Sequence, residues 1–291
     1  MRPIGKGISA FVLASASLCT VGMAQEQSEQ HANTSDWLRN QAESGTSEGR
    51  VILLDQAMQG YAEAQFMLGD MYRGGVGAAR DMAQARRWYQ AAAAQGHSMA
   101  LESLRILASG GDSAAFYTLG VLSRDGSGVP RDHVAARQAF RWAVEGGHIL
   151  AHFAEAELMA NGLGGAVDEL AALRSYRQTV RLARAALETP VAEKISATLD
   201  QSRALAQYWM GRTYLTGHGG VVQNAAAAAG LFESAARDGV AQAQYELGRL
   251  FARGRGVPRD LMKASAWFKK AAAQGLRAAD EEIAAIKNEL K

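Results

Sequence analysis

The chain repeats a sentence of fixed length. Residues 60–96 read GYAEAQFMLGDMYRGGVGAARDMAQARRWYQAAAAQG and residues 239–275 read GVAQAQYELGRLFARGRGVPRDLMKASAWFKKAAAQG. Each runs from glycine to glycine over 36 positions, and Gly111 to Gly147 is the same distance again. A unit of this size cannot bury a hydrophobic face alone, so units must stack on their neighbours. The period predicts an all-α solenoid before any single residue does. It also moves the search for function from a catalytic constellation to a binding surface.

Each unit divides into two helices. The first carries Ala-x-x-x-Leu-Gly, as Ala64, Leu68 and Gly69, then Ala115, Leu119 and Gly120, then Ala243, Leu247 and Gly248. Small residues there let neighbouring helices approach closely enough for leucine and tyrosine to interlock. A glycine turn follows, Gly75 and Gly77 in the first copy, because glycine reaches the positive φ that ends a helix. Asp81, Asp132 and Asp260 then stand where an N-cap carboxylate accepts the orphan amides of the second helix. That helix carries an aromatic and paired alanines, as in Trp88, Tyr89, Ala92 and Ala93.

This motif resembles the Sel1-like repeat family, relatives of the tetratricopeptide repeats, with the fullest agreement at 62–96 and 241–275. The resemblance covers roughly 47–291. It implies a right-handed α-solenoid of antiparallel helix pairs, with the first helices lining a concave groove. It also implies a role in scaffolding protein–protein contacts in bacterial envelopes and signalling. Some cysteine-rich relatives are linked to β-lactam binding or hydrolysis. This chain has no Ser-x-x-Lys and a single cysteine, Cys19, so that activity is not carried over.

The repeat ruler places full units near 60–95, 111–146, 202–238 and 239–274, with an extended unit over 147–201. Residues 276–291 read as a capping helix whose outer face is polar (Asp280, Glu281, Lys287, Glu289). The ruler fails in three places. Residues 96–110 insert an extra helix. Glu155 and Ala156 stand where Leu-Gly is expected. The second helix of that unit runs from 169 to about 188, and Thr189-Pro190 opens another, to about 216. Two such long neighbours predict a pair, around 181–203, that protrudes by about two turns or more.

The first 24 residues read as an export signal: Arg2 and Lys6, an apolar run from Ile8 to Val21, and Gly22-Met23-Ala24 before a cleavage point after Ala24. The run is too short to span a membrane, so no stable span is expected once it is removed. A lipid anchor on Cys19 is disfavoured by Leu18 before it. The expected location is periplasmic or secreted. Residues 25–46 read as a polar lead-in. The chain has 31 Lys+Arg and 29 Asp+Glu, and two of the basic residues lie in the signal, which leaves 29 against 29. A neutral chain has no field that would draw it to nucleic acid. The sole cysteine leaves with the signal, and with it any thiol chemistry or disulfide.

Candidate site residues follow from the irregular unit. Arg174, Arg177, Arg181 and Arg184, spaced three, four and three apart, form one basic stripe on a helix. It suits an acidic protein surface, an anionic glycan or lipid headgroups, or is a solvated face balanced by neighbouring carboxylates. His148 and His152 are an i, i+4 pair with Glu155 three further on, a spacing that can chelate zinc. The order His-Glu-x-x-His is missing, however, and His152 aligns with Gln65, Phe116 and Gln244. His152 and Glu155 therefore read as groove residues or as partners of each other, and no metal or cofactor is expected. Gly45-Thr46-Ser47-Glu48-Gly49 fits a serine-hydrolase string but follows no strand. Ser47 reads as a helix cap, and no catalytic residue is assigned. Val51, Leu54 and Met58 mark one face of the helix that precedes the first full unit. Tyr72, Trp88, Tyr89, Tyr214, Trp267 and Phe268 read as core, and Trp37 and Trp209 as the aromatics outside the consensus.

Together these features predict a non-catalytic scaffold or regulator in the envelope, binding a helix or peptide of another protein in the groove. The alternative is a protein associated with envelope polysaccharide or peptidoglycan, or with virulence. A β-lactamase-like hydrolase is the least favoured reading.

Overall fold

The computed structural model describes residues 40, 46–188 and 196–290. The signal (with Cys19), Trp37, almost all of the lead-in and the Thr189-Pro190 helix start lie outside the described residues. Among the described residues there are 13 helices and no strand. They are α1 (Ser47–Met58), α2 (Ala62–Gly74), α3 (Met82–Ala94), α4 (Ser98–Ser109), α5 (Ser113–Asp125), α6 (His133–Glu145), α7 (Ile149–Ala160), α8 (Glu169–Leu187), α9 (Ser196–Thr216), α10 (Ala225–Arg237), α11 (Ala241–Arg253), α12 (Leu261–Ala273) and α13 (Ala278–Glu289). Two compact units result. One takes in residues up to Leu104 and Ser127–Val129, the other Arg105–Gly126 and Pro130 onward.

In the first unit α2 packs on α3, and α1 packs on α2. In the second, the pairs are α5–α6, α7–α8, α9–α10 and α11–α12, each joined to the next by the packing of a second helix on the following first helix. The regular helices are 13 residues long, whereas α8 has 19 and α9 has 21. The last helix, α13, buries Ala279 and Ile286 and exposes Asp280, Glu281, Lys287 and Glu289.

One steric device repeats. The glycine of Leu-Gly is a notch in the first helix that receives the second helix's aromatic ring. A Cβ built on Gly69, Gly120, Gly211 or Gly248 would lie 2.5–2.7 Å from Tyr89, Phe140, Phe232 or Phe268 respectively. All four rings are fully buried. Each also meets an aromatic three residues before the notch. The ring centroids of Phe66–Tyr89, Tyr117–Phe140, Tyr208–Phe232 and Tyr245–Phe268 are 5.6–6.0 Å apart. Phe153–Tyr176 repeats this pair at 5.8 Å in the irregular unit, beside Ala156 instead of a glycine. These offset contacts add to the area buried.

Helix ends are set by the residues the sequence offers. The N-cap carboxylate of Asp81 accepts from the amides of Ala83 and Gln84 at 2.9 and 3.0 Å. Replacing Asp81 with Ala orphans both donors and is expected to cost about 1 kcal/mol, read from urea unfolding. Gly254 ends α11 at φ +64°, and at Gly256, φ +76°, a Cβ would fall 2.4 Å from the carbonyl of Ala225. Two sequence expectations are corrected here. Thr46, not Ser47, caps α1, its Oγ1 accepting from the Gly49 amide at 3.0 Å. Val51, Leu54 and Met58 are exposed, and α1 buries Leu53 and Ala57 instead. The buried pair is spaced by four and small enough at Ala57 for Gln65 of α2 to reach the Ala57 carbonyl at 3.0 Å.

Candidate functional site

The irregular unit is built from α7 and α8 and packs on α9. Its core holds Ala156, Met159, Ala172, Leu173, Tyr176 and Met210, with Tyr176 fully buried. That packing fixes the rotation of α8 and turns its arginines outward. Arg174, Arg177, Arg181 and Arg184 are all exposed. Arg177 Nη2 donates to the hydroxyl of Tyr214, and its guanidinium lies 5.8 Å from that ring's centroid, a cation–π approach. Arg177, Arg181 and Arg184 rim a pocket of about 370 Å³ whose apolar walls are Val180, Ala185 and Met210. Among the described residues of its lining, Glu188 is the carboxylate. Arg174 lies outside it.

His152 sits on α7, half-buried. Burial, then the positive charge of Arg181, holds its imidazole below the usual histidine range. It is therefore coupled to the arginine stripe. Its repeat position is occupied in two other units by glutamines that clasp the preceding helix. Gln65 donates to the Ala57 carbonyl and accepts from Gln95, and Gln244 donates to the Ala236 carbonyl and accepts from Gln274. At that position a side chain serves the junction between successive helices.

Glu155 goes the other way. It is 7% exposed and lies toward α6, with Arg141 Nε 3.6 Å from its Oε1. Burial pushes its carboxyl above the usual range, while Arg141 and Arg137 pull it back. Glu155 therefore pairs with an arginine of α6, not with His152, and does not present itself to a partner. His148 stacks on Tyr117 with centroids 4.4 Å apart, as His97 stacks on Phe66 at 4.7 Å in the first unit. The two histidines that follow a unit's closing glycine are thus packing residues. Among the described residues no group of three His, Cys, Asp or Glu could hold a metal ion. Of the aromatics read as core, Tyr89 and Phe268 are fully buried, while Tyr72, Trp88, Tyr214 and Trp267 are half-buried.

The sequence reasoning missed a second basic cluster. Arg212, His218, Arg249 and Arg255 line a pocket of about 350 Å³ formed by α9, α11 and the turns that follow them. The signal was available: Arg212 and Arg249 each follow a notch glycine, and His218 and Arg255 each follow the glycine that ends the first helix.

A family model described as "Sel1 repeat" matches residues 62–97, 114–144, 204–240 and 241–276. The unmatched stretch between the second and third segments contains the irregular unit. The solved Sel1 repeat protein from Oxalobacter formigenes is 25% identical over 87% of this chain and 89% of its own, with a TM-score of 0.52. A putative sel1 repeat protein from Klebsiella pneumoniae subsp. pneumoniae is 24% identical, covering 82% of this chain and 99% of its own at a TM-score of 0.39. A protective antigen present in uropathogenic Escherichia coli strains, described as displaying an SLR fold, is 23% identical over 82% of this chain and 67% of its own, at a TM-score of 0.31. The chain matches no curated protein.

Proposed function

This chain belongs to the Sel1 repeat family, and we propose that it acts as a non-catalytic protein-interaction scaffold in the bacterial envelope. Repeats of this family are typically interaction scaffolds, and the fold is the family's all-α solenoid of helix pairs. The reading places the protein in the periplasm or outside the cell, delivered by the signal-like segment 1–24. Among the described residues no helix is long and apolar enough to cross a membrane.

The partner is a helix or extended peptide laid along the first helices, with a second contact at the arginine stripe of α8. One observation carries this reading. Three exposed arginines rim a pocket with apolar walls, on the one unit that departs from the repeat. An occupant with acidic residues flanking an apolar one fits it: the apolar group covers Val180, Ala185 and Met210 while carboxylates meet the guanidinium forks. Reversing two rim charges, Arg177→Glu with Arg181→Glu, is expected to weaken capture of the native partner by about tenfold or more at unchanged helicity. The readout is crosslinking in the native periplasm followed by titration of the recovered partner. Unchanged binding sinks the stripe as a contact, and recovery on a glycan matrix in place of a protein sinks the scaffold reading.

A further inference from the structure

We propose that the pocket between α9 and α11 binds the carboxylates of an acidic peptide segment, held by Arg212, Arg249 and Arg255. It is a second site, distinct from the α8 stripe. The claim that its ligand is a protein segment rests on the scaffold reading above.

The cations are not required by the repeat. The positions equivalent to Arg212 and Arg249 carry Asp70, Val121 and Glu157 in the other units. Those equivalent to His218 and Arg255 carry Val76, Ser127 and Leu163. Only the last two units put an arginine or histidine at both places, and they are adjacent, so the four side chains converge.

Their local partners leave that charge largely uncompensated. Among the described residues of the lining, Glu246 is the carboxylate. Both its oxygens are 3.3 Å from Arg249 Nη1, a long contact, and Arg249 Nε is buried with no hydrogen-bond partner. Arg255 Nη2 donates to the Leu215 carbonyl at 3.0 Å. The Arg212 guanidinium lies over the Trp209 ring, 4.9 Å from its centroid, and donates a hydrogen bond to the Tyr208 hydroxyl, which leaves the rest of its fork to an acceptor. A buried donor without an acceptor carries a desolvation cost that an incoming anion removes. The planar guanidinium fork matches a carboxylate with two parallel hydrogen bonds. The pocket is local, in a chain whose formal net charge is only +2, so it lacks the extended basic face that a nucleic acid or an anionic lipid surface requires.

The probe is fluorescein-labelled hexaglutamate, followed by anisotropy with the full chain. Wild-type protein is expected to bind it saturably and more weakly as salt rises. Arg212→Gln with Arg249→Gln is expected to lose about tenfold or more in affinity. Arg249→Lys keeps the charge without the fork and should fall between the two, and Arg87→Gln, exposed on α3 and outside the stripe and both pockets, should match wild type. Helicity by circular dichroism must agree across the set. No saturable binding by wild type, equal binding by the double variant, or tighter binding of tripolyphosphate than of hexaglutamate overturns the proposal. Partner capture that depends on Arg177 and Arg181, without hexaglutamate binding, removes this pocket and leaves the scaffold reading standing. Hexaglutamate binding without a protein partner does the reverse.

Discussion

Replacing Phe140 with alanine is expected to destabilise the α5–α6 pair by about 3–5 kcal/mol, the range for emptying a fully buried aromatic site. The ring is wholly enclosed, seated in the notch at Gly120 and tilted against Tyr117 at 5.7 Å. A solenoid shares stability between neighbours, so the loss should spread to α7, which packs on α6. Amide hydrogen exchange, with protection falling in α5, α6 and α7 before α11 and α12, is the measurement that checks it. The notch gives the complementary test. Alanine is a better helix former than glycine by about 1 kcal/mol, so Gly120→Ala would stabilise an open helix. Here the new methyl would sit 2.5 Å from the Phe140 ring, and overpacking costs about 1–3 kcal/mol, so the net effect should be destabilising. Ala156 holds the same position above Tyr176, where the methyl is already accommodated. Ala156→Gly should therefore lose about 1 kcal/mol of helix propensity and gain no relief. Opposite preferences at equivalent positions, glycine at 120 and alanine at 156, would show that the ring, not the helix, decides.

The notch explains why so much of this fold is legible in the sequence. At the notch a ring takes the space that a side chain would fill, so the recurrence of that glycine at a fixed offset marks the helix pair directly. The glycine-to-aspartate stretch is equally readable, since positive φ and orphan amides admit few residue types. What was not legible was rotation about a helix axis. Val51, Leu54 and Met58 have helical spacing, yet α1 buries Leu53 and Ala57, because spacing marks a face without saying which face meets α2. The site shows the same limit. The arginine stripe on α8 could be read from spacing alone. The cluster at Arg212, Arg249 and Arg255 shows in the sequence only as basic residues at recurring offsets from glycines, and its members meet only when successive units stack. Glu155 was visible as an anomaly, but its partner Arg141 belongs to another helix.

That pairing makes the second large expectation. Glu155→Leu, which restores the residue the repeat uses at this position, is expected to stabilise the protein by about 1–4 kcal/mol at neutral pH. Removing the carboxylate abolishes its desolvation cost. Arg141, half-exposed, can turn to water and is not left as a buried charge. The leucine fills the space as Leu68 and Leu247, both buried, do in their units. The sign of the pH dependence follows from burial. Glu155 has a folded-state pKa raised above its unfolded value, so between the two the folded chain holds the extra proton. Its contribution is therefore most favourable below the ordinary glutamate range and declines as pH rises through the raised value. The gain from Glu155→Leu should accordingly be larger at neutral pH than in acid, and Glu155→Gln should remove the pH dependence without supplying the packing. Thermal unfolding of the three chains across that range measures this directly. A leucine variant less stable than wild type at neutral pH would mean that the Arg141 pair more than offsets its desolvation, and that the departure at Glu155 serves stability.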